Sequence, residues 1–168
     1  VQARPTDPPR GPNLLRSAPA HRTDTGRCRI RQIVHEFSLR TRGRGLHEIT
    51  GEVVGWVRAS GVTEGLLTLH LRHTSASLLI QENADPEVQR DMERFFSRLV
   101  PQGDPIFRHT SEGPDDMPAH VRSALTATSL SIPVAGGGPA LGTWQGIYVY
   151  EHRDAPHRRR VVAHLLGQ

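Results

Sequence analysis

Apolar residues recur at every second position in several short segments of this chain, and this alternation limits its possible folds most strongly. Residues 33–39 and 65–72 alternate in this way. A period of two residues is typical of a β-strand that buries one face. Residues 77–81 are predicted to pair with 65–72 as the neighbouring strand. Three further strand-like segments close the chain: 130–134, 146–150 and 161–166.

Three segments have helical spacing instead. The first spans 46–60 and ends at Gly61, and the third opens with Asp116 as its cap and ends near residue 125. The second begins at Asp85, a capping residue followed by a proline that suits the first turn. It carries one apolar stripe: Val88, Met92, Phe95 and Leu99. So few helices do not fit a doubly wound fold, and we predict an α+β fold with a largely antiparallel sheet and packed helices.

The net charge of +4 comes from the N-terminal segment. Residues 1–29 contain six arginines and two aspartates, whereas the rest of the chain balances 15 arginines against 15 acidic residues. A nucleic-acid-binding domain usually has a basic face within its fold, so nucleic acid is an unlikely partner. Residues 1–28, rich in proline and arginine, are predicted to be a disordered leader. Residues 29–168 are predicted to form one domain.

The sequence also restricts the compartment. Its one cysteine, Cys28, excludes an internal disulfide and a cysteine-based zinc finger. No apolar run approaches the roughly 18 residues that a membrane span needs. Residues 1–28 also lack the apolar core of about 7–15 residues that a signal peptide needs. We therefore predict a cytoplasmic protein with no membrane partner.

Three of the ten histidines stand out by their neighbourhood. His73 follows an apolar strand, His109 begins a turn-forming loop, and His120 lies in the first turn of the third helix. The positive end of the helix dipole disfavours a protonated imidazole there, which favours the neutral form that metals bind. Three neutral imidazoles with one open position are typical of a catalytic metal site. The spacing alone leaves ordinary structural roles open for all three.

The carboxylates near these histidines include one without a structural explanation. Glu112 lies three residues after His109 in a Gly-Pro loop, where it is either a general base or a solvated side chain. Asp85 and Asp116 are explained as helix caps, although Asp85 and Glu151 are also catalytic candidates. A ligating histidine normally donates its other N–H to an oxygen acceptor, a role we expect for Asn83, Glu112 and Glu151.

Three separated blocks of the sequence resemble the YjbQ-like family. They are residues 73–85, which begin HTSAS and end QENAD; residues 109–120, HTSEGPDDMPAH; and residues 129–151, which contain LGTWQGI and end at a glutamate. The resemblance covers about residues 29–167. It implies a compact α+β fold that assembles as a homotrimer. It also implies a pocket in which His73, His109 and His120 bind a divalent metal, Zn²⁺ or Mg²⁺.

Members of this family carry the name secondary thiamine-phosphate synthase. The resemblance therefore implies a metal-dependent transferase that joins an aminopyrimidine diphosphate to a thiazole phosphate and releases pyrophosphate. Arg108, Arg122 or Arg153 would hold phosphate oxygens in such a reaction. The substrate-binding candidates are Ser75, Asn83, Arg108, Trp144, which would stack on a heterocycle, and Gln145.

Two alternatives keep the pocket and change the function. The first is metal-assisted hydrolysis of a small phosphate or amide-like metabolite, with Glu112 activating the water. The second is a non-enzymatic module that binds a phosphorylated metabolite or RNA, although the balanced charge of residues 30–168 argues against RNA. Release of pyrophosphate only in the presence of both thiamine precursors would distinguish the synthase from both alternatives.

Overall fold

The structure is a computed structural model that describes residues 29–168, so the predicted leader, residues 1–28, lies outside the described residues. Within 29–168, no helix is both long and apolar enough to cross a membrane. The elements, in chain order, are β1 (Arg31–Arg40), β2 (Gly45–Glu48), α1 (Thr50–Ser60), β3 (Gly65–Leu71), β4 (Ala76–Glu82), α2 (Pro86–Leu99), α3 (Asp116–Leu125), β5 (Ser129–Ala135), β6 (Gly138–Pro139), β7 (Gln145–Glu151) and β8 (Arg158–Gly167).

The strands form two antiparallel sheets. The larger sheet has the order β1-β8-β3-β5-β6, and the smaller sheet has the order β2-β7-β4. The predicted α+β class and antiparallel pairing are confirmed. The predicted pairing of residues 77–81 with residues 65–72 is wrong, because β8 and β5 occupy both edges of β3. The chain therefore crosses to the smaller sheet, where β4 pairs with β7.

The core lies between α1 and the inward faces of the two sheets. Val53 and Val57 of α1 are fully buried there, against residues such as Leu67 and Leu165 of the larger sheet. Apolar burial of this kind is the main stabilising contribution to folding. Gly61 ends α1 in the left-handed region, with φ of 71°, as its sequence position predicts. The predicted start of this helix is wrong, because residues 45–48 form β2 and pair with β7.

Helix α2 begins as predicted but faces its sheet differently. Asp85 caps it, since its Oδ1 accepts a hydrogen bond of 2.8 Å from the N–H of Glu87. The apolar stripe is partly exposed to solvent, since Phe95 is 51% and Leu99 is 54% exposed. The face turned inward includes Phe96, whose ring centre lies 5.7 Å from that of Tyr150. The smaller sheet presents Tyr148 and Tyr150 to this helix, so a mixed polar and aromatic face fits it better than an aliphatic stripe.

A buried histidine directly after β7, His152, makes the fold sensitive to acid. His152 is 1% exposed, and its Nε2 lies 2.9 Å from Ser77 Oγ. Burial, followed by the charge of Arg122, lowers the pKa of His152 to about 3. The unfolded chain protonates this imidazole below pH 6.5 while the folded chain does not, so stability is lost as pH falls through that window.

Lowering the pH from 7 to 5 should therefore cost about 2 kcal/mol of folding free energy through this one group. Urea unfolding at the two pH values measures the loss. The His152→Gln variant should lose less stability over the same interval, because it cannot take up the proton. Equal pH dependence in the wild type and the variant would assign the acid sensitivity to other groups.

Candidate metal centre

Three side chains around the start of α3 bring nitrogen and oxygen donors together. Donor atoms of His109, Asp116 and His120 all lie within 4.8 Å of one another. Asp116 Oδ2 lies 2.9 Å from His109 Nε2 and 3.3 Å from His120 Nε2. Asp116 and His120 are four residues apart on α3 and therefore share one face of the helix. Two imidazoles and one carboxylate form a donor set that suits a divalent transition metal.

The hydrogen bond on the other nitrogen of His120 shows that this set fits a cation. His120 Nδ1 lies 3.0 Å from the backbone oxygen of Thr74, and a carbonyl oxygen only accepts, so Nδ1 carries a proton. In the neutral ring, Nε2 then presents a lone pair to Asp116 Oδ2. Two lone pairs at 3.3 Å repel unless a proton or a metal ion lies between them. A backbone carbonyl on the far nitrogen is also the usual support of a metal-binding histidine.

Arg153 holds the carboxylate of Asp116 in place. Its Nη1 donates to Asp116 Oδ1, which leaves Oδ2 facing the two histidines. The same guanidinium donates to Asp115 Oδ2 at 3.0 Å and to the backbone oxygen of Glu112 at 2.7 Å. Burial alone raises the pKa of Asp115, but hydrogen bonds from the Asp154 N–H and from Arg153 hold it below its usual value. Asp115 therefore stays charged and keeps Arg153 fixed.

The site lies where three connections of the fold meet. Thr74 belongs to the link between β3 and β4, Arg153 to the link between β7 and β8, and His109 to the segment that leads into α3. Ser123 of α3 donates to the backbone oxygen of Ala76 at 2.9 Å, which fixes the helix to the start of β4. The frame is thus built from strand ends and one helix, and its donors do not depend on a single loop.

His73, the third predicted ligand, lies outside this group of donors. Its Nε2 accepts a hydrogen bond of 2.9 Å from the backbone N–H of Arg160. Burial, followed by the charges of Arg159 and Arg160, lowers the pKa of His73. Its imidazole is therefore biased toward the neutral form and bound to the first residues of β8. The structure brings two of the three predicted histidines together and supplies a carboxylate as the third donor.

That carboxylate is the one for which the sequence predicts a structural role. The predicted capping role of Asp116 is wrong, because the N-cap of α3 is Asp115, which makes no side-chain cap hydrogen bond. Asp116 is instead the first helical residue, with an exposed fraction of 1%. The available signal was its spacing of four residues from His120.

The two other candidate acidic residues have different surroundings. Glu112 is exposed, and its Oε2 lies 3.7 Å from Arg153 Nη1, the nitrogen that also donates to Asp116. Glu151 is fully buried, and its Oε2 accepts hydrogen bonds from Thr41 Oγ1 at 2.9 Å and from Arg159 Nε at 2.7 Å. Its Oε1 accepts one of 3.0 Å from the backbone N–H of Arg153, so both oxygens are engaged in a structural network. We assign Glu151 to that network and keep Glu112 as the candidate base.

Several residues predicted to bind the substrate already make contacts within the protein. Ser75 is buried, and its Oγ accepts a hydrogen bond of 3.1 Å from Arg159 Nη2. Arg122 is 1% exposed and donates to the backbone oxygen of Val100 at 3.1 Å. Arg153 neutralises the acidic residues described above. Arg108 is exposed beside His109, and its role in substrate binding stays a prediction.

Four further candidates lie at the opposite end of the β4–β7 pair from the donor group. Strand β4 has seven residues, which corresponds to about 20 Å between its ends. The backbone N–H of Asn83 donates to the oxygen of Trp144 at 3.0 Å, and Trp144 itself is 64% exposed. Within one copy of the chain, this end does not support the donor histidines. The four residues are Asn83, Asp85, Trp144 and Gln145.

Comparison with known proteins matches this chain to one family over nearly all of the described residues. The family model described as UPF0047 protein YjbQ-like matches residues 35–168. A UPF0047 protein of Synechocystis is 52% identical over 139 residues, which cover 83% of this chain and 95% of that protein. The UPF0047 protein YjbQ of Escherichia coli O157:H7 is 46% identical over 133 residues, or 79% of this chain and 96% of the relative.

Solved structures show the same fold. The crystal structure of an uncharacterised YjbQ/UPF0047 family protein from Clostridium acetobutylicum is 37% identical, with a TM-score of 0.70, and covers 77% of this chain and 97% of that one. A protein of unknown function from Sulfolobus solfataricus has a TM-score of 0.76 at 19% identity, over 83% of this chain and all of that one. At that identity the likeness concerns the fold alone.

Proposed function

The chain belongs to the YjbQ-like UPF0047 family, and from this premise we propose that it is a metal-dependent hydrolase of a small metabolite. The observation that carries the proposal is that donor atoms of His109, Asp116 and His120 lie within 4.8 Å of one another. The contact of His120 Nδ1 with the backbone oxygen of Thr74 also fixes the tautomer of His120. Three protein donors leave a coordination position open, as in catalytic zinc sites. Imidazole ligands favour Zn²⁺ or a similar transition metal over Mg²⁺, which prefers oxygen ligands.

A Zn²⁺ ion held by these residues would supply Lewis acidity and lower the pKa of water at the site. The chain itself provides the other parts. Arg153 orients Asp116, and the Thr74 carbonyl orients His120. Glu112, exposed and near Arg153, is the residue we propose to accept a proton from the attacking water.

Hydrolysis fits the surroundings of the site better than the synthase reaction. A reaction that releases pyrophosphate needs cationic donors for the charge of the leaving group. Two of the three arginines predicted for that purpose are engaged, Arg122 beneath α2 and Arg153 with acidic partners. The joining of an aminopyrimidine diphosphate to a thiazole phosphate stays a proposal that rests on the family resemblance. A cytoplasmic location, which a single cysteine suits, is likewise proposed.

Metal analysis and activity assays on the full chain test this function together. The purified protein should bind about one Zn²⁺ ion per chain. It should hydrolyse a chromogenic ester such as p-nitrophenyl acetate, lose that activity with EDTA and regain it with added zinc. Pyrophosphate release that depends on both thiamine precursors would favour the synthase instead. Zinc bound without either activity would favour a binding module.

The Glu112→Gln variant should separate proton transfer from metal binding. We expect kcat to fall by about 10²–10⁴-fold, since this is the usual contribution of a general base. Zinc content should stay unchanged, because Glu112 is not one of the three proposed metal ligands. Glu36→Gln, on β1, is the matched control and should keep full activity. A Glu112→Gln enzyme with wild-type kcat would remove Glu112 from the mechanism.

We also propose that the protein assembles as a homotrimer through the outer face of the larger sheet. Leu66 and Leu166 are opposite each other on β3 and β8 and are 43% and 41% exposed. Val34 on the adjacent β1 is 62% exposed. Apolar side chains grouped on an open sheet face are typical of an interaction surface.

Light scattering should give three times the chain mass of 18.6 kDa. Leu166→Asp should reduce the assembly to monomers, because it places a charge in the proposed contact. Phe95→Asp, at an apolar position on α2 that is 51% exposed, is the control and should leave the mass unchanged. A wild-type mass of 18.6 kDa at all concentrations would contradict the trimer.

A further inference from the structure

A groove of about 330 Å³ lies next to the donor group, and His109 forms part of its wall. Its other lining residues include Phe107, Met117 and three prolines. This volume lies at the lower end of the range for small-molecule sites, which are concave and mostly apolar. Since Nε2 of His109 faces Asp116, the groove and the donor group meet at one imidazole ring.

The charge of the groove restricts what it can bind. Asp104 is the one charged residue among the described side chains that line it, apart from the titratable His109. The guanidinium of Arg153 is turned to Asp115 and Asp116 and does not line the groove. An anionic group in the groove would therefore meet a carboxylate and no cation. A neutral or cationic group would meet no such penalty.

The wall of the groove is held by hydrogen bonds within the segment that forms it. The backbone N–H of Phe107 donates to the oxygen of Asp104 at 3.0 Å. The N–H of Ile106 donates to Asp104 Oδ1 at 2.9 Å. These bonds hold the backbone of residues 104–107 in one turn before any ligand arrives, so binding does not have to order this part of the wall.

We propose that this groove binds the aromatic or heteroaromatic ring of the substrate, neutral or cationic, while the hydrolysable group of the substrate reaches the metal. This inference rests on the proposed metal centre and adds the substrate class. The ring lies between Phe107, Met117 and the prolines, beside the His109 imidazole. Specificity is then set by the loop before α3 and the first turns of α3.

Two hydroxamates that differ only in the ring test this inference by calorimetry on the zinc-loaded full chain. Both benzohydroxamate and acetohydroxamate chelate zinc, but only the first carries a phenyl ring. We expect benzohydroxamate to bind at least about tenfold more tightly, because burial of the ring adds apolar contact. Thr110→Trp, at an exposed residue that also lines the groove, fills the groove and should remove that advantage. Phe107→Ala should reduce the advantage.

Phe95→Ala, on the exposed stripe of α2, is the control and should keep the full difference between the two ligands. Equal Kd values for both hydroxamates in the wild type would overturn the ring site while the metal centre stands. An advantage that survives in both Thr110→Trp and Phe107→Ala would place the ring elsewhere and also overturn it. A chain that takes up no zinc would refute the proposed function itself, and this outcome is recognised from the metal content before any hydroxamate is added.

Discussion

Replacing Asp116 by asparagine should lower the affinity for Zn²⁺ at least about 100-fold. Removal of a mere supporting partner of a metal ligand already costs about 10–100-fold, and Asp116 is proposed as a direct ligand. His120→Ala should have an effect of the same size, because it removes the donor whose tautomer Thr74 fixes. Competition with a chromogenic chelator measures each affinity.

His73→Ala is the decisive companion variant. The Nε2 of His73 is bound to the N–H of Arg160, so we expect zinc affinity to remain close to that of the wild type. Circular dichroism on all three variants establishes that each is folded. If His73→Ala lost zinc as completely as Asp116→Asn while both stayed folded, His73 would be a ligand beside Asp116, and the proposed three-donor set would be incomplete.

The predicted ligand set has three histidines, whereas the donor group in the structure has two histidines and Asp116. This difference shows which parts of a site can be predicted from the local sequence. The neighbourhoods of His109 and His120 single them out, because a turn loop and a helix start are visible in the residues around them, and the structure brings the two together. The orientation of the His73 ring depends on β8, which lies 87 residues away and reaches it only through the order of strands in the sheet. Alternation predicts that a segment is a strand, but it does not state which strand is its neighbour.

Burial of polar residues was equally difficult to anticipate. The sequence predicts strands at β4 and β7, and both exist. It does not show that Glu151 at the end of β7 faces an arginine on β8 rather than the metal site. Likewise, the apolar stripe of α2 predicts a helix correctly. The partner face of that helix includes Tyr150, whose direction follows from the register of the smaller sheet.

The buried pair of Glu151 and Arg159 should be the largest single electrostatic contribution to stability. Their exposed fractions are 0% and 3%, and Arg159 Nε lies 2.7 Å from Glu151 Oε2. Burial by itself raises the pKa of Glu151, but the hydrogen bonds from Arg159, the Arg153 N–H and Thr41 lower it below its usual value. The carboxylate is therefore charged in the folded protein, and the stability it contributes is lost as pH falls below about 4.5.

Arg159→Met should reduce the free energy of unfolding by about 3–5 kcal/mol, because it leaves Glu151 charged and buried without its partner. Arg160→Met, one residue along β8, is the matched control. The guanidinium of Arg160 is about half exposed and lies 4.0 Å from Glu36, so its loss should change stability by about 0.5 kcal/mol or less. Urea unfolding at pH 7 compares the two.

The double variant Glu151→Leu/Arg159→Met separates the interaction from the packing of the two side chains. Removing both charges abolishes the uncompensated carboxylate, so the double variant should be less destabilised than the sum of the single variants. Thr41 and the Arg153 N–H still lose an acceptor, so recovery should be incomplete. Strictly additive single effects would mean that the two residues stabilise the fold independently and that their ion pair contributes no coupling free energy.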